Sequence, residues 1–142
     1  MAGKIQTPYD ELTYTLTGLA MTVHSELGPG LTEETYKKAM AILLDETRTP
    51  YQREYPVAIT FRGQNIATFK LDFVVAATVI IEAKAVSTLA AIHEQQSLTY
   101  LAASGLPVAL LFNFGAGSLE HKRLFPSKAV QNSIAYKSRQ RK

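Results

Sequence analysis

LDFVVAATVIIEAKA, Leu71 to Ala85, is an apolar run interrupted by Asp72, Glu82 and Lys84. The β-branched and aromatic residues on either side of Ala76-Ala77-Thr78 read as two strands joined by a short turn. Side chains alternate along a strand, so Glu82 and Lys84 point to one face, about 7 Å apart. On the preceding strand Phe69, Leu71, Phe73 and Val75 share a face, and Asp72 takes the other. Pairing the strands through the turn sets Asp72 beside Glu82. Two carboxylates inside an apolar sheet repel one another and lose hydration. A hard divalent cation offsets that cost, and Mg²⁺ accepts one or two carboxylates while keeping waters for a phosphate. The same three charges also fit an ordinary ion pair at a strand edge, and an acid-x-lysine triplet alone is a weak signal.

On the C-terminal side, Thr88 to Ser104 has helical spacing with Leu89, Ile92 and Leu101 inward and Gly105 as its stop. Leu106 to Phe112 is nearly all apolar, as a strand buried on both faces should be, and a short strand over about Lys122 to Phe125 follows. On the N-terminal side, Val57, Ile59 and Phe61 alternate after Pro56, and Gly63-Gln64-Asn65 reads as a hairpin turn into a strand from Ile66. Earlier still, two helices are expected. Thr7-Pro8-Tyr9-Asp10 starts the first, whose stripe is Leu12, Leu16, Leu19, Ala20, Val23 and Leu27, and Gly28-Pro29-Gly30 ends it. The second spans about Thr32 to Glu46, with Tyr36, Ala39, Met40, Leu43 and Leu44 as its apolar face. The order is α-α-β-β-β-α-β-β. A strand-helix-strand unit beside hairpin-connected strands implies an α/β fold with a mixed sheet flanked by helices.

The chain has 142 residues, enough for one domain with a hydrophobic core. Residues 1–126 are expected to form it. The net charge of +3 conceals an asymmetry: from His121 onward there are seven basic residues and no acidic one. Residues 127–142 therefore read as a basic, flexible tail, either attracted to a polyanion or simply solvated. The first residues lack the apolar stretch of a secretory signal, and no run approaches a membrane-spanning length. With no cysteine there is no disulfide framework and no thiolate metal site, which fits a reducing cytoplasm. Three widely spaced histidines make a zinc site improbable, and no glycine-rich phosphate loop is present.

A resemblance adds to this reading. GPGLTEETY, Gly28 to Tyr36, places Gly30, Glu33 and Tyr36 in the spacing Gly-x-x-Glu-x-x-Tyr. VHSELGPGL before it, and LDFVV, VIIEAKA, HEQQSLTYL and LFNFG after it, follow in the order of the GxxExxY family. That family is placed among the PD-(D/E)xK nucleases, so the resemblance implies a restriction-endonuclease-like core and a Mg²⁺ or Mn²⁺ site for phosphodiester cleavage. By this likeness Asp72 matches the first acid, and Glu82 and Lys84 match the acid-x-lysine pair. Glu33 matches a helix glutamate that helps hold the metal or its waters, and the Ala83 carbonyl a further ligand. LDF stands where the superfamily name has Pro-Asp, a departure the superfamily tolerates. Gln96 and Tyr100 match a Gln-x-x-x-Tyr motif that shapes the substrate site. They share a helix face, and His93, three residues before Gln96, is placed to join them. Lys122 and Arg123 are candidates for phosphate contact.

Plainer readings stand beside these. Tyr100 also fits a core aromatic, Tyr36 a packing residue, and Glu33 a helix-dipole partner. His24 fits a capping or core residue. The implied partner is nucleic acid, with DNA expected, and so small a chain points to a homodimer or larger partner for recognition. The rival is a non-catalytic nucleic-acid-binding or regulatory module on the same fold.

Overall fold

Helix α1 (Asp10–Leu27) opens the structure, a computed structural model that describes residues 6–140. Thr7 stands two residues before its N-cap, Tyr9. The Thr7 hydroxyl donates to Asp10 Oδ1 at 2.7 Å and accepts the Tyr9 N–H, bracing the turn that leads into the helix. Leu16, Ala20 and Val23 are buried, whereas Leu27 at the far end is 43% exposed, so the apolar stripe is shorter than its spacing suggests. Helix α2 (Glu33–Glu46) is capped by Thr32, whose side chain accepts from the Thr35 N–H. Tyr36, Met40 and Leu44 form its buried face.

Five strands follow: β1 (Tyr51–Phe61), β2 (Gln64–Val75), β3 (Val79–Lys84), β4 (Val108–Asn113) and β5 (Glu120–Leu124). They form one sheet in the order β1-β2-β3-β4-β5. All neighbours are antiparallel except β3 and β4, which are parallel and joined by helix α3 (Ala91–Ser104). This is the expected mixed sheet. Strand β1 begins before Pro56 rather than after it. It lies at the sheet edge, where the missing proline N–H leaves no rung unmade. The hairpin turn is at Arg62-Gly63, with φ of 51° and 81°, one residue earlier than the sequence suggests.

Two hydrophobic cores lie on opposite faces of the sheet. Leu16, Ala20 and Val23 of α1 and Tyr36, Met40 and Leu44 of α2 pack on Phe73, Ile81, Leu110 and Phe112. On the other face Tyr100 and Leu101 of α3 pack on Leu71, Val74, Ile80 and Ala109. Each fully buried side chain of this size stabilises by ~1.5–3 kcal/mol. Leu71 and Phe73, expected on one face, belong to different cores. Regular alternation breaks between them, opposite Glu54 of the neighbouring strand, which takes a left-handed conformation (φ 52°). The β2–β3 ladder also stops at Phe73↔Ile81. Asp72 occupies the break.

Residues 127–142 do not begin as a free tail. Lys128–Gln131 (α4) and Ile134–Gln140 (α5) are helical, and Tyr136 is 2% exposed. Its hydroxyl donates to the Leu106 carbonyl at 2.6 Å, and Arg139 donates to the Ala102 carbonyl at the end of α3. Basic composition hid a segment that docks through Tyr136. Arg141 and Lys142 lie outside the described residues.

Candidate active site

Past Phe73 and Ile81 the strands β2 and β3 separate, and two carboxylates replace the missing ladder bonds. The Asp72 N–H donates to Glu82 Oε2 at 2.9 Å, and the Ala83 N–H donates to Asp72 Oδ2 at 2.9 Å. Each acid thus satisfies the backbone of the opposite strand. The Ala83 N–H points into this gap, and a residue's carbonyl points to the same side of its strand as its N–H. The Phe114 N–H, by contrast, donates to the Lys84 carbonyl on the β4 side.

Glu82 is 3% exposed. Burial, and after it the neighbouring Asp72 charge, push its carboxyl up to about 8; the Asp72 N–H, Lys84 and Lys37 oppose the shift. Lys84 lies on the same face as Glu82, and its Nζ donates to Gln96 Oε1 of α3 at 2.6 Å. Tyr100 is buried against Phe69, with ring centroids 5.6 Å apart. Burial, then the charges of Glu82 and Asp72, raise its hydroxyl above the ordinary tyrosine range. Tyr100 is therefore both core aromatic and neighbour of the acids.

One participant escaped the sequence reading. Lys37 of α2 reaches Asp72 Oδ1 at 3.2 Å, Glu54 Oε2 at 3.1 Å and Glu34 Oε1 at 3.7 Å. Burial pulls its ammonium down, but the charge of Asp72 and bonds to Glu54 and Asp72 outweigh that and hold it above the ordinary lysine range. Arg53 shares the same two glutamates, at 3.2 Å from Glu34 and 3.9 Å from Glu54. Lys37 comes from the α1–α2 layer, and Gln96 and Tyr100 from the α3 layer. They meet because the sheet is open between β2 and β3. The only signal for Lys37 in the sequence is its position four residues after Glu33.

The remaining candidates are less central. Glu33 is exposed in the first turn of α2 and makes no hydrogen bond or ion pair with the described residues. His93 Nδ1 accepts the Ala90 N–H at 2.9 Å and so caps α3. Lys122 pairs with Glu94 at 2.9 Å, and Arg123 pairs with Asp10 at 2.7 Å and lies over the Phe125 ring. Both are on β5, separated from β3 by β4. His24 Nε2 bonds the Ala116 carbonyl at 2.8 Å, a core role that ties α1 to the loop after β4. Tyr36 stacks on Phe114 at 4.7 Å, donates to the Gly28 carbonyl and accepts the Leu31 N–H, which fixes the loop leading to Glu33.

Would a divalent cation suit these residues? Asp72 and Glu82 are hard oxygen donors on facing strands, and two carboxylates suffice for Mg²⁺ with waters completing its shell. The raised Glu82 carboxyl is what a buried acid pair shows when too little positive charge is nearby. Among the described residues no group of three or more His, Cys, Asp or Glu side chains is arranged to hold a metal ion together. The donor set therefore fits a cation with two protein carboxylates.

A sequence profile of the PD-(D/E)XK nuclease superfamily matches residues 10–124. The chain belongs to this superfamily. The matched span includes every strand and helices α1 to α3. Solved structures of an alkaline exonuclease (LHK-Exo) from Laribacter hongkongensis are similar to it. One aligns with a TM-score of 0.45 at 13% identity, covering 96% of this chain and 81% of that one. The same exonuclease in complex with dAMP aligns with a TM-score of 0.49 at 15% identity, covering 98% and 80%. No curated protein matches the chain. The mixed sheet with flanking helices is the PD-(D/E)XK nuclease fold.

Proposed function

We infer that this member of the superfamily is a metal-dependent nuclease that hydrolyses phosphodiester bonds in nucleic acid, with DNA the expected substrate. One observation carries the reading: Asp72 and Glu82 exchange bonds across the open seam of the sheet, with Lys84 on the same face. An isolated ion pair at a strand edge needs no such exchange. Asp72, Glu82 and the Ala83 carbonyl would hold Mg²⁺ or Mn²⁺, which would supply charge neutralisation at the scissile phosphate and acidify a water. Lys84 presents its ammonium to a phosphate oxygen and stabilises the charge gained in the transition state. Gln96 fixes the direction of Lys84, and Tyr100 walls the site on the α3 side. Glu33, on α2 one turn before Lys37, is assigned the holding of a metal's water by the family likeness alone. The spacing Gly30, Glu33, Tyr36 supports assignment to the GxxExxY branch, and the absence of cysteine supports a cytoplasmic setting.

The test is Mn²⁺ binding by calorimetry on the wild type and Asp72→Ala, followed by incubation with labelled single- and double-stranded DNA and RNA. Metal binding and cleavage by the wild type, both lost in Asp72→Ala, are the expected result. Lys84→Ala should keep metal binding and lose cleavage by 10²-fold or more, roughly the effect of removing one charge-stabilising donor. The rival, a non-catalytic nucleic-acid-binding or regulatory module, draws on the basic residues from His121 onward. It predicts salt-sensitive, metal-independent affinity without cleavage.

A further inference from the structure

We propose that Lys37 is a tethered counter-ion of the acid pair, one that holds Asp72 while the site is free of metal and moves onto Glu54 and Glu34 when a divalent cation takes Asp72. The inference rests on the metal-dependent reading above and concerns a residue that reading does not use. Its basis is geometric. Lys37 contacts three carboxylates at once, Asp72 at 3.2 Å, Glu54 at 3.1 Å and Glu34 at 3.7 Å, and its side chain is only 12% exposed. A lysine on a solvated helix face has no reason to be so enclosed.

Asp72 has little room for both cations. Oδ2 is engaged by the Ala83 N–H, so Oδ1 is the oxygen most open to a metal, and Oδ1 is the one Lys37 occupies. The two cations compete for one ligand atom. Release of Lys37 requires no search for a new partner, since Glu54 and Glu34 already touch it. The shift runs along an existing cluster and needs no rotamer change into water. Arg53 bridges the same two glutamates and holds them in place to receive it. Charge count agrees: Glu34, Glu54 and Asp72 face Lys37 and Arg53, so this cluster has one more acid than cations before metal arrives.

Mn²⁺ titrations of the wild type, Lys37→Met, Glu54→Gln and the double variant test the exchange, with circular dichroism and melting of each to confirm folding. Lys37→Met removes the competitor, so Mn²⁺ affinity should rise about tenfold, an ordinary coupling between two ligands of one site. It should also lower the melting temperature of the metal-free protein and enlarge the rise that Mn²⁺ produces. Glu54→Gln removes a receiving carboxylate, so affinity should fall severalfold in the wild type and stay unchanged in the Lys37→Met background. That non-additivity is the signature. A simple long-range field would make the two effects add, and additive effects overturn the exchange while leaving the nuclease reading intact. Equal or weaker Mn²⁺ binding by folded Lys37→Met overturns it in the same way. Absence of Mn²⁺ binding by every protein, wild type included, overturns both readings together.

Discussion

Glu82 carries the clearest consequence of its surroundings. Its carboxyl is raised from an ordinary value near 4.5 to about 8 by burial and by Asp72. Below pH 4.5 it is protonated whether the chain is folded or not, and its contribution to stability is fully present. Between 4.5 and about 8 the unfolded carboxyl ionises while the folded one resists, so stability falls as pH rises and is lost above pH 8. Glu82→Gln keeps an acceptor for the Asp72 N–H and has nothing to ionise. Without metal, its melting temperature should match the wild type near pH 4.5 and exceed it by ~3 °C or more at pH 8.5, what ~1 kcal/mol amounts to in a domain this size. Identical pH profiles would show that Glu82 is not buried as described. These acids and Lys84 could be read from the chain because charges inside apolar β-runs are conspicuous. Lys37 could not. On α2 it is one of several charged residues, and only the tertiary approach of Glu54 and Asp72 gives it a role.

The loop that follows Lys84 is held from the far side of the sheet. Asn113, fully buried at the end of β4, accepts the N–H groups of Val86 and Gly115 and donates to Glu120. Glu120 in turn accepts the Leu89 N–H and the Thr88 hydroxyl. Those bonds keep residues 88 and 89 out of the helix, so α3 starts at Ala91 rather than at Thr88 as periodicity suggests. The boundary depends on a partner some 30 residues away and has no local signal. Gly115 packs against the same loop, and an added Cβ would come within 2.4 Å of the Val86 carbonyl and 2.6 Å of its nitrogen. Gly115→Ala should therefore destabilise by ~1–3 kcal/mol in urea unfolding, the usual range for forced overpacking. A neutral result would mean that the loop yields freely. Element order and type were read correctly from β1 to β5 because apolar runs and turn residues separate them in the chain.

Tyr136 ties the last described helix to the centre of the molecule through the Leu106 carbonyl, between α3 and β4. Tyr136→Ala should cost roughly 3 kcal/mol or more, read by thermal or urea unfolding, since a buried aromatic is removed and a carbonyl loses its donor. A loss under ~0.5 kcal/mol would instead support the free tail that composition suggests. Beyond this anchor, the sheet consists of two pieces, the β1–β2 hairpin and the β3–β4–β5 unit, joined by a ladder that runs only from Phe73↔Ile81 to Val75↔Val79. The two acids continue that join in place of peptide groups. Whatever binds these carboxylates perturbs the amides bonded to them, so the backbone itself reports on the site. The amide signals of Asp72 and Ala83 should shift in a nitrogen–proton correlation spectrum when a cation binds the carboxylates they donate to. Those of Val74 and Ile80, inside the ladder, should not. Two amides would thus act as built-in indicators of occupancy, readable without substrate or added label beyond nitrogen-15.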